Sequence, residues 1–181
     1  MKVIKTLLIG AWLMGSLALH AQKANIFGTV TADGKPLAGD TAIYYGDTYD
    51  GVATKVCKAD VKGEAYIIAA SGISANLEPF ILHLNGIPVN ETFSDSRFIV
   101  IKESDHTDCR LFELGRSTPY VLPLVIGCGY DIAIGAIEAG ADSVYAVKAA
   151  CNRNAFTDYP IEVFRFKKKG GYKYSKIEKP A

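Results

Sequence analysis

Phe27-Gly28-Thr29-Val30-Thr31-Ala32-Asp33-Gly34-Lys35-Pro36-Leu37-Ala38-Gly39 reads as a strand, a tight reversal and a lead into a second strand over residues 41–45. Ile26, Gly28 and Val30 alternate with Phe27, Thr29 and Thr31, the period-2 signature of a half-buried strand. Asp33-Gly34 turns the chain, Pro36 presets φ and gives up an amide donor, and Gly39 permits a bulge or a close approach. Moving outward, residues 52–57 alternate again, and residues 65–70 are apolar on both faces, as a central strand is. Residues 97–102, 109–114, 120–126 and 130–137 extend the series, and residues 161–167 and 172–177 form a closing hairpin around Lys168-Lys169-Gly170-Gly171. About ten short strands separated by turn chemistry predict an all-β, antiparallel sandwich.

Two further segments complete the reading. Phe80-Ile81-Leu82-His83-Leu84, then Asn85-Gly86, then Ile87-Pro88-Val89 predicts a hairpin, because Asn-Gly accepts the positive φ of a type I′ turn. Asp142 is placed to cap a helix over residues 143–150, but Val144, Tyr145 and Val147 suit a strand, and a strand is the preferred reading.

The opening motif, followed by Ala42-Ile43-Tyr44-Tyr45, resembles the start of a carboxypeptidase regulatory-like domain, a transthyretin-like (prealbumin-like) sandwich. A second hallmark of that family, a turn feeding a central strand, corresponds to Lys58-Ala59-Asp60-Val61-Lys62-Gly63-Glu64-Ala65-Tyr66. The resemblance covers about residues 25–85 and implies a noncatalytic binding or scaffolding module. It divides the chain into residues 22–95, the sandwich, and residues 96–181, either a second β-rich domain or a continuation of the same sandwich.

Residues 1–21 read as an export signal: Lys2 and Lys5 precede an apolar stretch that ends at Leu19-His20-Ala21. Its apolar part is shorter than the ~20 residues a spanning helix needs, so no transmembrane segment is expected after cleavage. The destination is extracytoplasmic: periplasm, cell surface or secreted. Loss of Lys2 and Lys5 takes the formal charge from +1 to −1 and removes the only tryptophan, Trp12. Residues 161–181 carry seven Lys or Arg against two Glu. Solvated lysines on a hairpin blunt a sheet edge, so no nucleic-acid partner is expected. The even count of cysteines in an exported chain favours disulfides among Cys57, Cys109, Cys128 and Cys151, with Cys128–Cys151 the first pairing.

Catalytic chemistry finds little support. The mature chain has two histidines, His83 and His106. His106 sits in the polar run Glu103-Ser104-Asp105-His106-Thr107-Asp108, which reads as a solvated loop rather than a metal site. No nucleophile elbow, His-Glu-x-x-His or phosphate loop is present, and no cofactor is expected. The sequence therefore points to an exported noncatalytic module that binds a protein or glycan partner through loop aromatics such as Tyr44, Tyr45 and Tyr49. The alternatives are a structural subunit pairing through edge strands, and a small metal-dependent hydrolase.

Overall fold

The computed structural model describes residues 25–26, 29–32, 36–40, 42–45, 48–167 and 171–181. The expected export signal, residues 1–21, and the Asp33-Gly34 reversal lie outside them. Among the described residues, β1 (Asn25–Ile26), β2 (Thr29–Ala32), β3 (Pro36–Asp40), β4 (Ala42–Tyr45), β5 (Thr48–Val52), β6 (Val56–Val61) and β7 (Glu64–Ile73) come first. They are followed by helix α1 (Leu77–Leu84), then β8 (Ser96–Lys102), β9 (Cys109–Glu113), β10 (Arg116–Pro119) and β11 (Leu124–Gly127). Helices α2 (Tyr130–Glu138) and α3 (Ser143–Cys151) precede the closing strands β12 (Ile161–Phe166) and β13 (Tyr172–Ile177).

These strands build an antiparallel β-sandwich. The larger, eight-stranded sheet has the order β10-β9-β8-β7-β1-β4-β5, with β6 also paired to β7. The smaller, five-stranded sheet has the order β11-β2-β3-β12-β13. Each sheet draws strands from both sides of residue 95.

Alternation along β7 and β8 explains how the layers stack. Ile67 and Ala69 stand opposite Ile101 and Ile99, and their side chains pack between the sheets with Leu37, Leu124, Ile126 and Phe164. Ile68 and Ala70 stand opposite Val100 and Phe98 and point the other way, onto α1. The larger sheet is thus covered on both faces, and its central strand is apolar on both, as the sequence predicts. The smaller sheet is covered likewise: Ala38, Ile161 and Val163 pack against Val144 and Val147 of α3. Val125 meets Ala133 of α2 and Ala146 of α3. The order of layers is helix, sheet, sheet, helices. Each fully buried Ile or Leu contributes about 1.5–3 kcal/mol of transfer free energy.

Three expected strands are helices instead. Residues 80–84 belong to α1, not to a hairpin. Leu77, Phe80, Ile81 and Leu84 recur at the i, i+3, i+4, i+7 spacing of one helical face, and all four pack on the larger sheet. Pro79 sits in the first turn, where no amide donor is needed. Asn85-Gly86 ends the helix rather than joining strands. Gly86 has φ +79°, its N–H donates to His83 O at 2.9 Å, and Ile87 N–H donates to Leu82 O at 3.0 Å. That pair of bonds is a Schellman cap, which demands the same left-handed glycine as a type I′ turn. Residues 130–137 form α2, with Ala133, Ala136 and Ile137 turned inward. It ends in the same way: Gly140 N–H donates to Ile137 O at 2.8 Å and Ala141 N–H to Ala136 O at 3.0 Å. Residues 143–150 form most of α3, capped by Asp142 Oδ1, which accepts from Tyr145 N–H at 2.9 Å. The cap, not the β-branched residues, decides that segment.

Smaller departures shape the ends of the sandwich. The expected strand over residues 52–57 breaks after Val52 and restarts at Val56, delivering Lys55 into the interior. The expected strand over residues 120–126 is a strand only from Leu124, because the chain passes there from the larger sheet to the smaller. No helix among the described residues is long and apolar enough to cross a membrane.

Candidate functional site

Four of the eight phenylalanines gather where α1 lies on the larger sheet. Phe98 of β8 and Phe112 of β9 are cross-strand partners, so both side chains stand on the helix-covered face. Phe80 of α1 stacks on Phe98, with centroids 3.7 Å apart and planes 6° from parallel. It meets Phe112 edge-on at 5.1 Å. Phe93, from the segment after α1, closes the cluster edge-on to Phe80 at 5.5 Å and to Phe98 at 5.8 Å. Each such pair is worth about 0.5–1.5 kcal/mol beyond area burial, so the walls are held by one another. His83 completes the rim, its ring 5.6 Å from Phe93.

Phe80 and Phe98 are almost fully buried, at 1% exposed each, while the half-buried Phe93 and Phe112 leave apolar surface accessible beside them. The four rings line a cavity of about 180 Å³, whose polar boundary is His83, Ser96, Ser117 and Glu113. An outer cleft of about 420 Å³ shares His83, Phe93 and Gly115 with it and adds Glu91, Thr92 and Leu114. Ser96, Ser117 and Glu113 at the inner boundary each have a partner. Ser96 Oγ accepts from Ile73 N–H at 3.2 Å and from Asn76 Nδ2 at 3.0 Å. Ser117 Oγ accepts from Arg110 Nη1 at 3.2 Å, and Glu113 pairs with Arg97 at 2.6 Å.

The lip of the cleft is strained. Leu114 and Gly115 form the two-residue turn between β9 and β10, with φ +50° and +72°. Two successive positive φ values define a type I′ turn, whose first position favours Asn, Asp or Gly. Leucine there costs about 1–2 kcal/mol, and this one is 69% exposed. Leu114 thus holds an apolar side chain in solvent, at a conformational cost, beside the aromatic cavity. The hairpin between β6 and β7 uses the same turn at Lys62-Gly63, and there Asp60 Oδ1 accepts from Gly63 N–H at 2.9 Å.

Tyr44, Tyr45 and Tyr49 are not brought to this cleft. Tyr44 and Tyr49 are register partners on β4 and β5, and β5 is at the opposite edge of the larger sheet from β10. His83 rides on α1, not on a strand. His106 stacks on Phe166 at 5.3 Å, 13° from parallel. Asp105 Oδ1 accepts from Thr107 N–H at 3.0 Å and from Thr107 Oγ1 at 2.6 Å. Those bonds hold the Asp105 carboxyl below its ordinary range. Among the described residues no three His, Cys, Asp or Glu converge as a metal would need.

The expected disulfides are not formed: Cys57, Cys109, Cys128 and Cys151 are all free. Cys57 packs beneath α1, and Cys109 lies in the inter-sheet core on the other face of the same sheet. Burial pushes both thiols up to about 11. Cys128 follows Gly127 at the turn into α2, its sulfur 3.5 Å from Asn154 Oδ1 and 3.6 Å from Phe156 O. Desolvation shifts this thiol upward as well, and its S–H is placed to donate to those oxygens. Nearby, Lys55 and Asp40 form a fully buried ion pair, with Nζ 3.0 and 3.1 Å from the two carboxylate oxygens. Burial drives the Lys55 ammonium below its ordinary value, against the opposing pull of Asp40.

Sequence reasoning passed over Phe93, Phe112 and Leu114. The available signal was the concentration of four phenylalanines within residues 80–112. Comparison with protein-family models gave no match, and neither did a search of the curated proteins.

Proposed function

We propose that this chain is an exported, noncatalytic β-sandwich module that binds a partner through the aromatic cleft between α1 and the β8–β10 edge. The observation that carries this reading is the cavity of about 180 Å³ inside a wall of four phenylalanines, opening past an exposed, strained Leu114. Apolar pockets with a few fixed polar groups are the usual form of a binding site. The resemblance of residues 25–85 to carboxypeptidase regulatory-like domains agrees with such a role, since those modules accompany other activities rather than supply one. The chemistry nearby agrees as well. The Cys128 sulfur is held against Asn154 Oδ1 and Phe156 O, His106 stacks on Phe166, and hydrolysis near neutral pH needs a poised base or a metal-bound water.

Assembly through edge strands is less well supported. β10 ends in Pro119, which has no N–H to offer, and β13 carries Lys173 and Lys176; both are devices that discourage edge pairing. A small-molecule fragment screen on the ¹⁵N-labelled exported protein tests the reading. Fragments are expected to shift amide signals at Phe93, Leu114, Gly115 and Ser117. A screen whose hits map elsewhere, or none at all, would overturn it.

A further inference from the structure

We infer that the inner cavity receives the aromatic ring of a protein partner's side chain, presented next to a lysine or arginine. This rests on the cleft being the binding site, and goes beyond it in choosing protein over glycan and in specifying the anchor.

Size sets the first limit. A cavity of about 180 Å³ is slightly larger than the ~150 Å³ apolar cavity known to admit benzene in another protein. It holds one ring and little more. Chemistry sets the second. Four phenylalanine rings border the cavity, and its polar boundary is only His83, Ser96, Ser117 and Glu113, too few to meet the hydroxyls of a buried sugar ring. A saccharide carries a hydroxyl on most ring carbons, and each one buried here without a partner would weaken binding. A phenyl or phenol ring asks for nothing polar at its buried end. The walls meet one another largely edge-to-face, and an entering ring can join on the same terms.

Charge sets the third. Glu91 is exposed in the outer cleft and is the one acidic group bordering that space among its described lining residues. A cationic residue beside the anchor meets Glu91 as the ring enters, while an acidic one is repelled. Leu114, 69% exposed, supplies an apolar shelf for the intervening backbone. The occupant is thus an aromatic-plus-basic pair on an extended peptide.

The test uses four probes on the exported protein, followed by amide shifts: acetyl-Lys-Phe-Lys-amide, acetyl-Glu-Phe-Glu-amide, acetyl-Lys-Ala-Lys-amide and maltotriose. The Lys-Phe-Lys peptide should move the signals of Phe93, Leu114, Gly115 and Ser117. The Glu-Phe-Glu peptide should bind about fivefold more weakly, the yield of one exposed charge contact, and the other two probes should leave the cleft unmoved. Ser117→Trp, which fills the cavity from an exposed strand position, should abolish the response with the circular dichroism spectrum unchanged. Glu91→Lys should reverse the preference between the charged peptides. Equal binding of the Lys-Ala-Lys peptide, an undiminished response in Ser117→Trp, or cleft shifts with maltotriose would each overturn the aromatic anchor. If fragments map to the cleft but the Lys-Phe-Lys peptide does not, this inference falls and the binding module stands. If neither maps there, both fall.

Discussion

Replacing Lys55 with methionine should be among the most damaging single changes in this protein. Both members of the Lys55–Asp40 pair are 0% exposed, and the ammonium sits 3.0 and 3.1 Å from the two carboxylate oxygens. Methionine keeps most of the side-chain volume but removes the charge, so Asp40 keeps a buried carboxylate without its cation. Breaking a buried pair in this way costs about 3–5 kcal/mol. For a chain of this size that lowers Tm by about 6–20 °C. Urea denaturation followed by far-UV circular dichroism measures the loss as a fall in midpoint at unchanged slope. The deficit should shrink as pH falls and the buried Asp40 carboxylate takes up a proton, because the folded state of the variant then binds more protons than the unfolded chain. Adding Asp40→Asn should recover more than half of the loss. A single-variant cost below about 1 kcal/mol, the range of exposed pairs, would show that the buried pair adds little to stability.

Leu114→Asn should stabilise the fold by about 1 kcal/mol by relieving a left-handed leucine, while weakening occupancy of the cleft; a lower urea midpoint would contradict it. Gly72→Ala should cost about 3 kcal/mol or more. Gly72 has φ +117°, and a Cβ there would stand 2.1 Å from the Asp95 carbonyl oxygen, so an unchanged thermal midpoint would sink that account. Thiol titration of the denatured, unreduced protein should find four free thiols. Raising pH should then destabilise the fold. The Cys109 thiol is pushed from 9.0 to about 11, so its contribution is intact below pH 9 and about 2–3 kcal/mol is lost by pH 11. Cys109→Val should flatten that alkaline limb in a pH series of urea melts.

Strands were legible where one physical cause governed them. Ile67–Ala70 and Phe98–Ile101 are apolar on both faces because a sheet on one side and a helix on the other bury them. β13 was legible as a largely exposed edge strand, while its partner β12 is buried on both faces over Ile161–Phe164. Helices were misread where two structures make the same local demand. Asn85-Gly86 needs a left-handed glycine both as a hairpin turn and as a helix cap, and only the bonds from Gly86 and Ile87 back to His83 and Leu82 decide between them. Starting the pattern at Phe80 rather than Leu77 hid the helical face. The cleft was not legible because Phe80, Phe98 and Phe112 meet only through tertiary register. Nothing in the residue type of Leu114 announces a positive φ.

The weaving of early and late strands sets a timetable for folding. β2 lies between β3 and β11, and β3 lies between β2 and β12. As the chain lengthens from its N-terminus, the β2–β3 hairpin has no outer neighbour until residue 124 emerges, and its second edge stays open until residue 161. The helices that cover this sheet arrive in the same interval. Contacts of such long sequence separation form slowly, and open apolar edges invite other chains while they wait. A chain halted before Phe166 would therefore emerge as a sticky fragment, not a smaller sandwich.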